Sequence, residues 1–285
     1  MPKSHSVEFS LYPPSTEIKT IVHLLRKSLN LLNDLLNDLH RINPWDDRRM
    51  NTMLSEIVYL VRYQREQIEG VLCIASSNLY LYPSAFVISR TVLETNILIE
   101  YLLQPEDESE RIIRYIKYLN SQFRGRGTFD ENIFNSELPQ LRKDKLVKNK
   151  DDIMNDINSM KESAISHGIS SEIISRVGKL PDTASMMDDI SPPQKQIKFR
   201  IAYYKLSKYS HGMRESILRY SQPNFENEDP VYYWHYPLQS CQYILLSAEK
   251  LISRFADDRL DQFLNDLPPI LSELDRAINA VFKEN

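Results

Sequence analysis

Two pairs of side chains have the types and spacing from which a site is built. Arg90 and Glu94 stand four apart in SAFVISRTVLETNILIEYLL, residues 84–103, and Ser207 and His211 stand four apart in YYKLSKYSH, residues 203–211. A spacing of four puts both members of a pair on one helix face, and Tyr204, seven before His211, falls on the face of the second pair. Arg before Glu is the poorer order for a pair within one helix, so partners on another helix are expected for both. Two such helices meeting would bring Arg90, Glu94, Ser207 and His211 together. Glu94 would then orient His211 as a general acid or base, and Arg90 would hold an anionic group. Ser207, Tyr204 and Tyr209 would help to bind it. The same residues also fit a structural role. A buried Arg–Glu network fixes helix register, and an imidazolium just before Gly212 is favourable at a helix C-terminus.

A third cluster is aromatic: residues 230–237 read PVYYWHYP. Trp234 and His235, with Tyr232, Tyr233 and Tyr236, offer faces that would stack a base. Such a cluster also plugs the end of a helical core. Other chemistries lack their motifs. There is no Glu-x-x-His, HExxH, P-loop, GxGxxG or GxSxG, and His5, His23, His40, His167, His211 and His235 do not pair at ligand spacing. Neither a metal nor a cofactor is expected. Cys73 and Cys241 belong to no CxxC and read as buried, reduced thiols of a cytoplasmic protein.

The elements that must position these residues read as helices. In 285 residues there are only 6 Gly, and 42% of residues are hydrophobic, enough for a substantial core. The segment 84–103 is apolar almost all the way round, which belongs to a helix at the centre of a bundle. Before it, helices are expected over 16–41, with Ile21, Leu24, Leu25, Leu29, Leu32, Leu36 and Leu39 as the inner stripe, and from Asp46 or Asp47 to about Tyr80. After it, Pro105 restarts a helix that Arg124-Gly125-Arg126-Gly127 should break. A charged helix over 141–166, a short one over 171–177 and a loop over 178–193 with the composition of a lid follow. Helices over 194–211, 238–255 and 260–282 complete the chain. The fold class is all-α: an antiparallel bundle of long helices in a single domain, 1–285. Its core is 16–127 and 194–283, and 128–193 is a peripheral helical insertion with its loop.

Net charge is −4, but residues 111–150 hold ten Lys and Arg against four Asp and Glu. That local excess is either a solvated surface or a strip that meets a polyanion such as RNA. The N-terminal stretch MPKSHSVEFSLYPPST has no apolar core of signal length, so export is not expected. Residues 70–89 lack charge, yet Ser76, Ser77, Asn78, Pro83 and Ser84 interrupt them. They read as a junction of two helices rather than a membrane span.

RTVLETNILIEYL, residues 90–102, followed by a helix ending in YKLSKYSH, residues 204–211, resembles an uncharacterised group of bacterial all-helical proteins, a domain of unknown function. The resemblance covers roughly residues 20–255 and implies a fold and no activity. The arrangement is also similar, distantly, to HEPN helical bundles, many of which are metal-independent RNases or toxin components. Their signature is an Arg followed four to six residues later by a His. Here Arg200 precedes His211 by eleven, so Arg90, from another helix, would have to do that work. This resemblance implies RNA cleavage in a stress or defence response, with His211 in proton transfer and Arg90 as a phosphate clamp. Two alternatives stand beside it. One is a non-catalytic interaction or regulatory module, a homodimer through its long first helices. The other is a small-ligand sensor with the 178–193 loop as its lid.

Overall fold

The structure, a computed structural model, describes residues 16–41, 48–77, 81–134, 140–166, 168–190, 192–210, 234–253 and 260–283. Ten α-helices and no strand occur among the described residues. They are α1 (Thr16–Arg41), α2 (Arg48–Ser77), α3 (Tyr82–Leu103), α4 (Glu108–Phe134), α5 (Gln140–Ser166), α6 (Ser171–Ser175), α7 (Thr183–Asp188), α8 (Pro193–Ser210), α9 (His235–Ile252) and α10 (Asp261–Lys283). No described helix is long and apolar enough to cross a membrane.

The apolar pattern sets the layout. The Leu and Ile stripe of α1 is buried along its length, and α1 packs on α2, α9 and α10. Helix α3 is the axis. Thirteen of its 22 residues are buried, and α2, α4, α7, α8 and α9 surround it. Pro83 sits in its first turn, where a missing amide costs nothing.

Contacts along α3 give the direction of its neighbours. Helix α2 is antiparallel: Gln64 reaches Val92 and Asn96, while Gly70 lies beside Ile88. Helix α8 is antiparallel too: Tyr203 meets Arg90 and Lys195 meets Glu100. Helix α9 runs parallel to α3, with Ser240, Ser247 and Lys250 opposite Ser89, Asn96 and Glu100. This pair departs from the antiparallel expectation. The small serines at a seven-residue spacing let the two helices run side by side over two turns.

Four expectations need correction. Helix α4 does not break at 124–127 but runs on to Phe134. Glycine weakens a helix by about 1 kcal/mol without forbidding it, and α5 packs against α4 to hold it. The expected boundary at 127/128 therefore falls inside a helix. Residues 178–190 are not the structureless loop expected. The Asn120 amide donates to the carbonyls of Val177 and Gly178, and the Leu180 amide donates to Ser121 Oγ at 2.6 Å. Asp182 then caps α7 through Ser185, which buries Met186 and Met187. The aromatic stretch is helical from His235, three residues before the expected start. Cys73 is exposed, and only Cys241 is buried. The helix over 260–282 does form through Pro268 and Pro269. Both prolines are exposed, and so are Leu264 and Asn265, whose carbonyls lose their amide partners and can turn to water.

Candidate functional site

The polar groups of α3 emerge in two places. At the first, the Arg90 Nε and Nη2 atoms both meet Glu94 Oε1 at 3.0 Å. Nη2 also donates to the Tyr203 hydroxyl at 3.4 Å, and the guanidinium lies 5.3 Å from the centre of the Tyr203 ring. The two helices that carry the expected site do meet. Arg90 thus has the partner expected on another helix, whereas Glu94 is bonded within α3, by Arg90. At a half-buried position the short reach across one turn outweighs the unfavourable order of the two residues.

The second place escaped the sequence reading. Glu100 is 1% exposed and bonded to two lysines, Lys195 of α8 at 2.7 Å and Lys250 of α9 at 3.0 Å. From it a line of polar side chains crosses the core. Ser247 Oγ donates to Asn96 Oδ1 at 2.5 Å and lies 3.5 Å from Glu100 Oε1. Gln64 Nε2 donates to Asn96 Oδ1 and to the Val92 carbonyl. Ser89, Asn96 and Glu100 fall on one face of α3, facing α9. A carboxylate taken out of water needs such partners, since an unpaired buried charge costs several kcal/mol. The signal was present in NILIEYLL, where an acid interrupts an apolar run. Lys195 and Lys250, at the ends of two distant helices, gave no local hint of the pairing.

Other cations near this region are also engaged. Arg114 lies 4.2 Å from the centre of the Tyr101 ring and bonds the Tyr101 carbonyl and Glu110. Burial, more than the opposing pull of Arg114, raises the Tyr101 phenol above its ordinary range. Arg111 is buried and donates to the carbonyls of Pro105 and Glu106. Among the described basic side chains of 111–150, Arg111 and Arg114 are therefore turned to the fold, while Lys148 is exposed.

The remaining expected residues that are described lie in differing surroundings. Ser207 is half-buried with its hydroxyl oxygen inside. Tyr204, expected on the same face, is 59% exposed, with the Lys208 amine 4.8 Å from its ring centre. Seven residues before a position is not three before its neighbour: Tyr204 and Ser207 lie about 60° apart on the helix, and the bundle surface passes between them. Trp234 and His235 are inside, 0% and 1% exposed. Tyr236 packs edge-on to Phe86 at 5.4 Å. No base reaches Trp234 or His235 while α9 keeps this packing, which corrects their stacking role. The side chain of Tyr209, all of His211 and residues 230–233 lie outside the described part. Among the described residues, no three His, Cys, Asp or Glu side chains gather as metal ligands would. A cleft of about 930 Å³ opens elsewhere, between α1 and α10, lined in part by Lys19, His23, Arg26, Glu273 and Arg276.

The fold and this line of polar side chains together define an all-helical bundle protein with a polar spine on its central helix. The chain belongs to DUF5677, a family of unknown function, which it matches over residues 56–229. That span takes in α3 through α8, and with them the contacts of Arg90 to Tyr203 and of Glu100 to Lys195. Neither a curated protein nor a solved structure matches the chain.

Proposed function

We propose that the protein is a non-catalytic interaction or regulatory module in which the charges of α3 serve the fold. The observation that carries this reading is the closure of Arg90 and Glu94 on each other. A general base needs its orienting carboxylate within hydrogen-bond reach. Glu94 is engaged by Arg90. Ser210, the last described residue of α8, lies seven residues past Tyr203, about 10 Å along the axis. Because α8 is antiparallel to α3, that step leads away from Glu94. The apolar stripe of α1 is buried within its own chain, so a homodimer through the first helices draws no support.

A metal-independent RNase is the second reading. The contact of Arg90 with Tyr203 favours it, because it brings a guanidinium onto the helix that leads toward His211. Total RNA incubated with the purified protein and with His211→Ala separates the two. The module reading expects intact RNA in both. Cleavage by the natural protein that disappears in His211→Ala would overturn it.

A further inference from the structure

Helix α8 is apolar on two faces. Phe199, Ala202 and Leu206 are buried in the bundle. On the outside, Ile197, Ile201 and Tyr204 are 57%, 54% and 59% exposed. Single exposed apolar residues are ordinary on any surface. Three at spacings of four and three form a row about 10 Å long on one helix, and that is the pattern of anchors laid against a second helix. A helix apolar on both sides is built to be covered on both.

The charge of α8 says what covers it. Its 18 residues include five basic ones, Lys195, Lys198, Arg200, Lys205 and Lys208, and no acidic one. Lys195 is turned inward to Glu100, and Arg200 is paired with Asp188. Lys198 and Lys205 are exposed on one flank of the row, and Lys208 stands at its end beside Tyr204.

We infer that the outer face of α8 is a docking surface for an acidic amphipathic helix of another protein. The inference rests on the module reading and names its partner. A second copy presenting its own α8 would set like charges against one another, which costs both affinity and encounter rate. Nucleic acid stacks on aromatic faces, whereas two of the three anchors are branched aliphatics. A lipid surface takes a broad apolar face with charges at its margins, and the row here is one residue wide, with the other apolar face of α8 in the core.

The test is fluorescence anisotropy with the full-length protein and labelled helical peptides of roughly 18 residues, about five turns. One peptide carries Leu on one face and Glu on the rest; its counterpart carries Lys in place of Glu. A single-stranded RNA oligomer and anionic vesicles are run beside them. The Glu peptide is expected to bind and the Lys peptide not. Ile197→Ser with Ile201→Ser should weaken binding about tenfold or more, since these are the anchors. Tyr59→Ser, at an exposed apolar residue of α2, should leave it unchanged. Lys198→Glu with Lys205→Glu should shift preference toward the Lys peptide, and circular dichroism should report an unchanged fold for all of these surface variants. No binding of the Glu peptide, equal binding by the Ile variants, or binding of RNA or vesicles in preference to the peptide would overturn the inference. Should it fail with RNA left intact, the module reading survives and the surface lies elsewhere. RNA cleavage that depends on His211 would remove the module reading itself.

Discussion

Glu100 is the side chain whose environment is most demanding. It is nearly sealed from water, yet two amines from two other helices reach it. Glu100→Gln keeps the shape and removes the charge, which leaves two cations facing a neutral amide. Both lysines keep about a quarter of their surface in water, 23% and 27%. The loss should therefore fall below the full penalty for a buried orphan charge, at about 2–3 kcal/mol. Urea unfolding measures it, and an unchanged midpoint would mean that the triad contributes nothing net. The two thiols make a second prediction. Burial pushes Cys241 up to about 12, so the folded protein favours its neutral form. That preference is fully present below the ordinary thiol range near 8.5 and is lost as pH rises toward 12. At about pH 8.5 an alkylating reagent should modify exposed Cys73 and spare Cys241, whereas the unfolded chain should take two labels. Two labels on the folded protein, read by mass spectrometry, would contradict the burial.

The long helices were legible because their apolar positions repeat at three and four, as in the stripe of α1 from Ile21 to Leu39. Punctuation was less reliable. Gly125 and Gly127 read as a break, yet α4 continues, because packing overrides a weak local penalty. The stretch 178–193 read as a lid because of its composition and its length. What orders it comes from elsewhere: Asn120 and Ser121 of α4, and a cap at Asp182. Hydrogen bonds from the Ser185 backbone and side chain hold the Asp182 carboxyl below its usual range. Its stabilisation of α7 is present above the ordinary carboxylate range and fades as pH falls through the lowered value. Asp182→Ala should accordingly expose 178–190 to limited proteolysis at neutral pH, and an unchanged cleavage pattern would argue against the cap. At the end of α5, Gly168 has φ 87° and nothing within 4 Å of the place a Cβ would occupy. Gly168→Ala should still cost about 1 kcal/mol, since the backbone conformation and not a clash resists it. Thermal unfolding would show the cost, and full stability would contradict it.

Across the bundle, α3 organises its neighbours through polar contacts as much as apolar ones. It lies parallel to α9 and antiparallel to α2 and α8, and each of these helices sends a side chain to its spine: Ser247 and Lys250, Gln64, and Lys195. The meeting of α3 with α8 was legible, because a buried helix bearing Arg90 and Glu94 needed polar neighbours and YYKLSKYS could supply them. The choice of partners was not, since it depends on register. Antiparallel packing brings Arg90 to Tyr203, one turn short of Ser207, and sends Glu100 to Lys195. Whether Arg90 works for the fold or for a substrate is decided by urea unfolding of Arg90→Ala. The residue holds Glu94 and Tyr203 and is mostly shielded from water, with its side chain 15% exposed. A structural role predicts a loss of about 1–3 kcal/mol and a lower midpoint with an unchanged slope. An Arg90→Ala protein as stable as the natural one would contradict it, and would mark Arg90 as a residue kept for something that binds.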